Sequence, residues 1–85
     1  MNIGERLVLA RGIRQMSQVR LASKCGWHKH GHNRISGYET GYREPNTAAI
    51  WLMAEALEVP PEWLQFGVGK FPTKRNNAKR VDKNK

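Results

Sequence analysis

Apolar residues recur along this chain at the three- and four-residue spacing of helices, and no stretch shows the alternation of a strand. Ile3, Leu7 and Ala10 share one face of a first segment, and Asn2 followed by Glu5 makes a capping-box start, so a helix is expected from Ile3 to Ile13. Ser17 is a good N-cap for a second helix, expected from Gln18 to Cys25, with Leu21, Ala22 and Cys25 inward and Gly26 as the left-handed stop. After Trp27-His28-Lys29-His30-Gly31, a third helix is expected to begin near His32 and to end at Thr40 before Gly41. Ile35 and Tyr38 face inward in it. Asn46 caps a fourth helix whose buried stripe is Ile50, Met53, Ala54 and Leu57, and Val59-Pro60-Pro61 ends it. Pro61 sits in the first turn of a short fifth helix, Glu62 to Phe66, with Trp63 and Leu64 inward and Gly67 closing it. The fold class expected is all-α, a compact five-helix domain over residues 1–68.

Composition changes this picture in two ways. With 85 residues and 39% hydrophobic content, the chain can build one small core and no second domain. The formal net charge of +8 points to a polyanionic partner, nucleic acid before membrane. Much of that charge lies at the end: from Gly69 onward there are seven basic residues against Asp82, leaving a net +2 for the rest. Residues 69–85 hold too little apolar surface to offset the entropy of ordering, and read as a flexible basic tail. Cys25 is the single cysteine, so no internal disulfide is available; with no signal-peptide-like or spanning apolar run, the expected location is the cytoplasm. No carboxylate pair, nucleophile with a base, or phosphate-cradling glycine loop appears, and no enzyme activity and no cofactor are expected.

The second and third helices with their turn have the form that lays one helix into a DNA groove. In order and spacing, Gly4-Glu5-Arg6-Leu7, Arg11, Met16-Ser17-Gln18, Leu21-Ala22, Gly26, Ile35-Ser36, Tyr38-Glu39, Gly41, Glu44-Pro45, Ala54, Leu57, Val59 and Trp63-Leu64-Gln65-Phe66-Gly67 resemble the lambda-repressor-like helix-turn-helix family that includes phage Cro and repressor proteins. The resemblance implies a sequence-specific double-stranded DNA-binding regulator of transcription, a Cro-type repressor that binds a palindromic operator as a dimer. It implies base-reading positions at Gly31, as the N-cap of the third helix, and at His32, Asn33, Arg34, Ser36 and Gly37, and an Arg11–Glu39 bridge tying the first helix to the end of the third. Asn can pair with adenine, Arg can fork onto guanine, and Ser or His can donate to several bases. Gly37 departs from the family pattern; it either admits a close approach of DNA or leaves a base pair unread. Gln18, at a helix N-terminus, can touch a phosphate and brace the third helix, while Tyr42 and Arg43 follow where the family meets phosphates. The segment from Gly26 to Ile35 is three residues longer than in the family, the extra length falling within 28–31, and Lys29 there is expected to reach the sugar-phosphate backbone.

Other readings compete. Cys25, His28, His30 and His32 offer thiolate and imidazole donors for a metal, yet Cys25 stands at an inward position and the histidines have no established ligand spacing, so no metal is expected. Trp27, Trp51 and Trp63 are read as core and half-core residues in preference to base-stacking platforms. Val8, Leu9, Ile13 and Leu52, with Trp51, Phe66 or Phe71, could form a self-association patch for a homodimer. An antitoxin-like protein, whose tail folds onto a toxin partner and whose DNA binding serves autoregulation, is the alternative function.

Overall fold

The computed structural model describes residues 1–70, and these form five helices: α1 (Ile3–Arg14), α2 (Gln18–Lys24), α3 (Gly31–Thr40), α4 (Thr47–Leu57) and α5 (Pro61–Phe66). From residue 71 the expected flexible tail, and the expected contribution of Phe71 to a dimer, lie outside the described residues.

Local chemistry sets most helix starts. The Asn2 side chain accepts from Glu5 N at 2.8 Å while Asn2 N donates to Glu5 Oε1 at 3.0 Å, so the capping box closes as expected. Ser17 Oγ accepts from Arg20 N at 3.0 Å and Asn46 Oδ1 from Ala49 N at 2.8 Å, capping α2 and α4. Helix α1 runs one residue beyond expectation, to Arg14, and Gln15 closes it at φ 57°. Helix α2 stops at Lys24, one residue short, with Cys25 as its C-cap.

The start of α3 requires a correction. Gly31 is the first helical residue, not the cap; the cap is His30, held in the left-handed region at φ 60° with no side-chain bond to the helix. The cause is tertiary. A Cβ on Gly31 would stand 2.7 Å from the Ala22 Cβ and 3.0 Å from the Trp27 Cβ, so glycine is what lets α3 sit directly on α2.

Each helix sends at least one fully buried large side chain into a single core: Leu7 from α1, Leu21 from α2, Ile35 from α3, Met53 and Leu57 from α4, Leu64 from α5. Burial of each such side chain contributes roughly 1.5–3 kcal/mol. Trp63 is buried and Trp27 half-buried, as read from the sequence, but Trp51 is 59% exposed on the outer side of α4 and does not belong to the core. Helix periodicity explains this: Trp51 immediately follows the buried Ile50 and precedes exposed Leu52, on the far side from Met53 and Leu57.

Helix α1 also serves as a strut with three arginines. Arg6, almost fully buried, donates from Nε to Leu64 O (2.8 Å), from Nη2 to Gln65 O (2.6 Å) and from Nη1 to Met1 O, placing a cation at the carbonyl end of α5. Arg14 donates from Nε to Leu57 O (2.8 Å) and from Nη2 to Glu58 O (3.0 Å), doing the same for α4. Arg11 reaches the α2–α3 unit. At the other end of α1, Gly4 lies against the backbone of α3, where a Cβ would come within 2.7 Å of Tyr38 O and nearer still to Glu39 O.

Candidate nucleic-acid interface

The α2–α3 unit is fixed to α1 through Glu39. Its carboxylate, 6% exposed, accepts from Arg11 Nε at 2.6 Å and Nη2 at 3.1 Å, and from Gln18 Nε2 at 2.9 Å. The third Arg11 nitrogen, Nη1, donates to Met16 O at 2.9 Å, just before α2 begins. The expected Arg11–Glu39 bridge therefore forms, and Gln18 makes the bracing contact with the end of α3. A single acceptor joins three helices, and the pose of α3 follows from it.

With Gly31, Ile35 and Tyr38 turned inward, the opposite stripe of α3 is Asn33, Ser36, Gly37 and Thr40, at the spacing of neighbours along one helix face. His32 and Asn33 are exposed, Arg34 and Ser36 are half-buried, and Lys29 stands exposed in the preceding loop. His28 and His32 border, with Val19 and Trp27, a shallow hollow of about 200 Å³ between α2 and α3. Tyr42 is 88% exposed and Arg43 is exposed beyond the C-terminus of α3.

Gly37 is the expected contact residue that is not left open. A Cβ there would meet Arg43 Cδ at 2.9 Å and Cγ at 3.0 Å, and Arg43 N donates to Gly37 O at 3.0 Å. The missing side chain makes a notch, and the stem of Arg43 fills it. The Arg43 guanidinium lies 5.8 Å from the Tyr38 ring, which also faces Arg34 at 5.8 Å. Two cations thus share one flank of α3. Thr40 was not among the sequence candidates, although it stands seven residues after Asn33 on the same stripe; its hydroxyl donates to Gly37 O (3.3 Å) and accepts from Tyr42 N (3.4 Å), stitching the following turn.

Charge is distributed to match. Three of the basic residues before the tail, Arg6, Arg11 and Arg14, hold helix ends and Glu39 together. The other five, Arg20, Lys24, Lys29, Arg34 and Arg43, fall between residues 18 and 43, whereas residues 44–67 hold Glu44, Glu55, Glu58 and Glu62 and no lysine or arginine. The side carrying α2 and α3 is positive and the side carrying α4 and α5 negative. Arg20 and Lys24, exposed on α2, were likewise not singled out from the sequence.

Cys25 points into the core, 7% exposed, and burial pushes its thiol up to about 11 even though the nearby Arg34 guanidinium pulls the other way. A protonated, buried thiol is a poor metal ligand. Among the described residues no three His, Cys, Asp or Glu side chains gather closely enough to hold an ion. The folded state favours the protonated thiol, so this contribution to stability is full below pH 9 and is lost as pH rises through about 11. Cys25 is expected to react with a thiol reagent at pH 8 far more slowly in the native protein than in denaturant; equal rates would mean that the site is open.

No helix among the described residues is long and apolar enough to cross a membrane. No curated protein and no solved structure matches the chain. A helix-turn-helix family model does match, over residues 9–64, from the second turn of α1 to the middle of α5 and across the whole of the α2–α3 unit. The bracing of α2 and α3 by Glu39, the polar outer stripe of α3, the positive side around it and this match have one reading: the chain belongs to the helix-turn-helix family of DNA-binding transcriptional regulators.

Proposed function

We propose that this protein is a Cro-type repressor that recognises a palindromic operator as a homodimer, with α3 in the major groove and the neighbouring cations on the phosphates. The observation that carries the reading is the outer stripe of α3, where Asn33 and Ser36 face away from a core that needs neither of them. Asn33 has the geometry class that pairs with adenine, Ser36 donates or accepts at several bases, and His32 adds a third polar reader in the first turn. Gln18, Lys29, Tyr42 and Arg43 surround the stripe and set its register on the backbone, a division between positioning and reading that is general to DNA-binding helices.

Dimerisation is supported by the outer surfaces of α1 and α4. Helix α4 is apolar around nearly its whole circumference, with Trp51 and Leu52 exposed; Val8 and Ile13 on α1 and Phe66 at the end of α5 are exposed as well. Leu9 is partly packed against the core and contributes less. A helix that is apolar all round is normally covered, and a second copy would cover this one.

Selection of bound sequences from random duplex DNA tests the proposal. The expected result is an inverted repeat whose half-sites are centred about one helical turn, roughly 34 Å, apart. The Asn33→Ala variant is expected to relax the preference at one or two base pairs per half-site, costing about 1–3 kcal/mol on the selected site and little on random duplex. Binding with no consensus, or equal losses on both duplexes, would show that α3 does not read bases.

A further inference from the structure

We infer that Trp27, in the turn between α2 and α3, is a positioning residue for Arg34, holding its guanidinium so that its two terminal nitrogens address the major-groove edge of a guanine. This rests on the reading of α3 as the base-reading helix.

The Arg34 Cζ lies 3.8 Å from the centre of the Trp27 ring, a stacking separation, while Arg34 Nε donates to Tyr38 Oη at 2.7 Å. Trp27 and Tyr38 meet edge to face, with centroids 6.2 Å apart and planes at 69°. Two aromatic side chains with ring planes at 69° therefore hold the guanidinium, one by stacking and one by a hydrogen bond. Trp27 is itself held: its backbone N–H donates to Ala22 O at 2.9 Å, and its Cβ packs where Gly31 leaves no room for a side chain.

The arrangement leaves the right atoms over. Bidentate recognition of guanine O6 and N7 uses two N–H groups of the guanidinium fork in one plane. Here Nε is engaged by Tyr38, and among the described residues the two terminal nitrogens donate to no protein acceptor. A free arginine loses rotamer freedom when it binds a base; this one has lost it in the fold, so less is lost on contact. Pairing with guanine also fits better than pairing with phosphate, because a lone phosphate contact needs no fixed plane.

The test uses the full chain and the operator obtained by selection. Arg34→Ala identifies the guanine by the base pair at which discrimination disappears, and replacing that guanine by 7-deazaguanine, which lacks the N7 acceptor, weakens wild-type binding to match. Trp27→Leu keeps an apolar side chain but removes the ring face, and is expected to lower discrimination at that one base pair about five- to tenfold while other positions keep theirs. Trp27→Phe, which retains a ring, is expected to restore much of it. An even loss over all positions, or none at the Arg34 position, in both variants would overturn the inference and make Trp27 a packing residue. Should wild type select no consensus, the base-reading role of α3 fails first; a consensus with no guanine dependent on Arg34 defeats this inference alone.

Discussion

Gly4→Ala is expected to destabilise the domain by about 3 kcal/mol or more, whereas Gly12→Ala on the same helix is expected to stabilise it by about 0.5–1 kcal/mol. Both glycines lie in α1, and helix propensity alone favours alanine at each. The surroundings decide the sign. At Gly12 nothing lies within 4 Å of the added Cβ, so the propensity gain is kept. At Gly4 the Cβ runs into the carbonyls of Tyr38 and Glu39, backbone atoms that cannot rotate away. Helix α3 must then shift outward, taking Glu39 with it from Arg11 and Gln18. Set against a total stability of about 5–10 kcal/mol for so small a domain, the loss is large. Denaturant midpoints of the two variants give the answer, and movement in the same direction would refute the close approach of α1 and α3.

The second large effect is expected at Glu39→Ala, which strands two donors at once. Arg11 and Gln18 both lose their acceptor, and a buried donor left unpaired costs more than the bond itself contributed. Arg11 is 19% exposed, so water partly rehydrates its guanidinium and the cost settles near 2–4 kcal/mol, below the upper end for fully buried pairs. Glu39→Gln, which keeps the shape and one acceptor oxygen, is expected to lose about half as much. DNA affinity falls in both variants because the tilt of α3 is no longer fixed. Since Glu39 makes no phosphate contact, the slope of log affinity against log salt stays unchanged; a shallower slope would mean that a backbone cation had been displaced.

What the sequence disclosed and what it concealed differ by range. Asn2, Ser17 and Asn46 were readable as caps because each bonds a backbone N–H three residues on, an interaction contained within one turn. The core stripes were readable because periodicity is a local signal, and Cys25 falls inward for the same reason. The first residue of α3 was misplaced by one, because Gly31 answers to Ala22 and Trp27, not to the helix it begins. Gly37 was legible as an oddity but not as a seat for Arg43, since a spacing of six residues across a turn forms no pattern. The roles of Arg6 and Arg14 were out of reach: apart from Met1 O, their acceptors are carbonyls of α4, α5 and the loop between, far along the chain and without a side-chain signature. Trp51 shows the reverse failure, in which residue type suggested a core position that helix phase denies.

The division of acidic and basic residues between the two sides bears on kinetics. A polyanionic rod exerts a torque on such a molecule, repelling Glu55, Glu58 and Glu62 while drawing in Lys29 and Arg43, so collisions arrive already turned. Fewer encounters are wasted on the wrong orientation, and capture quickens most in dilute electrolyte, where the field reaches furthest.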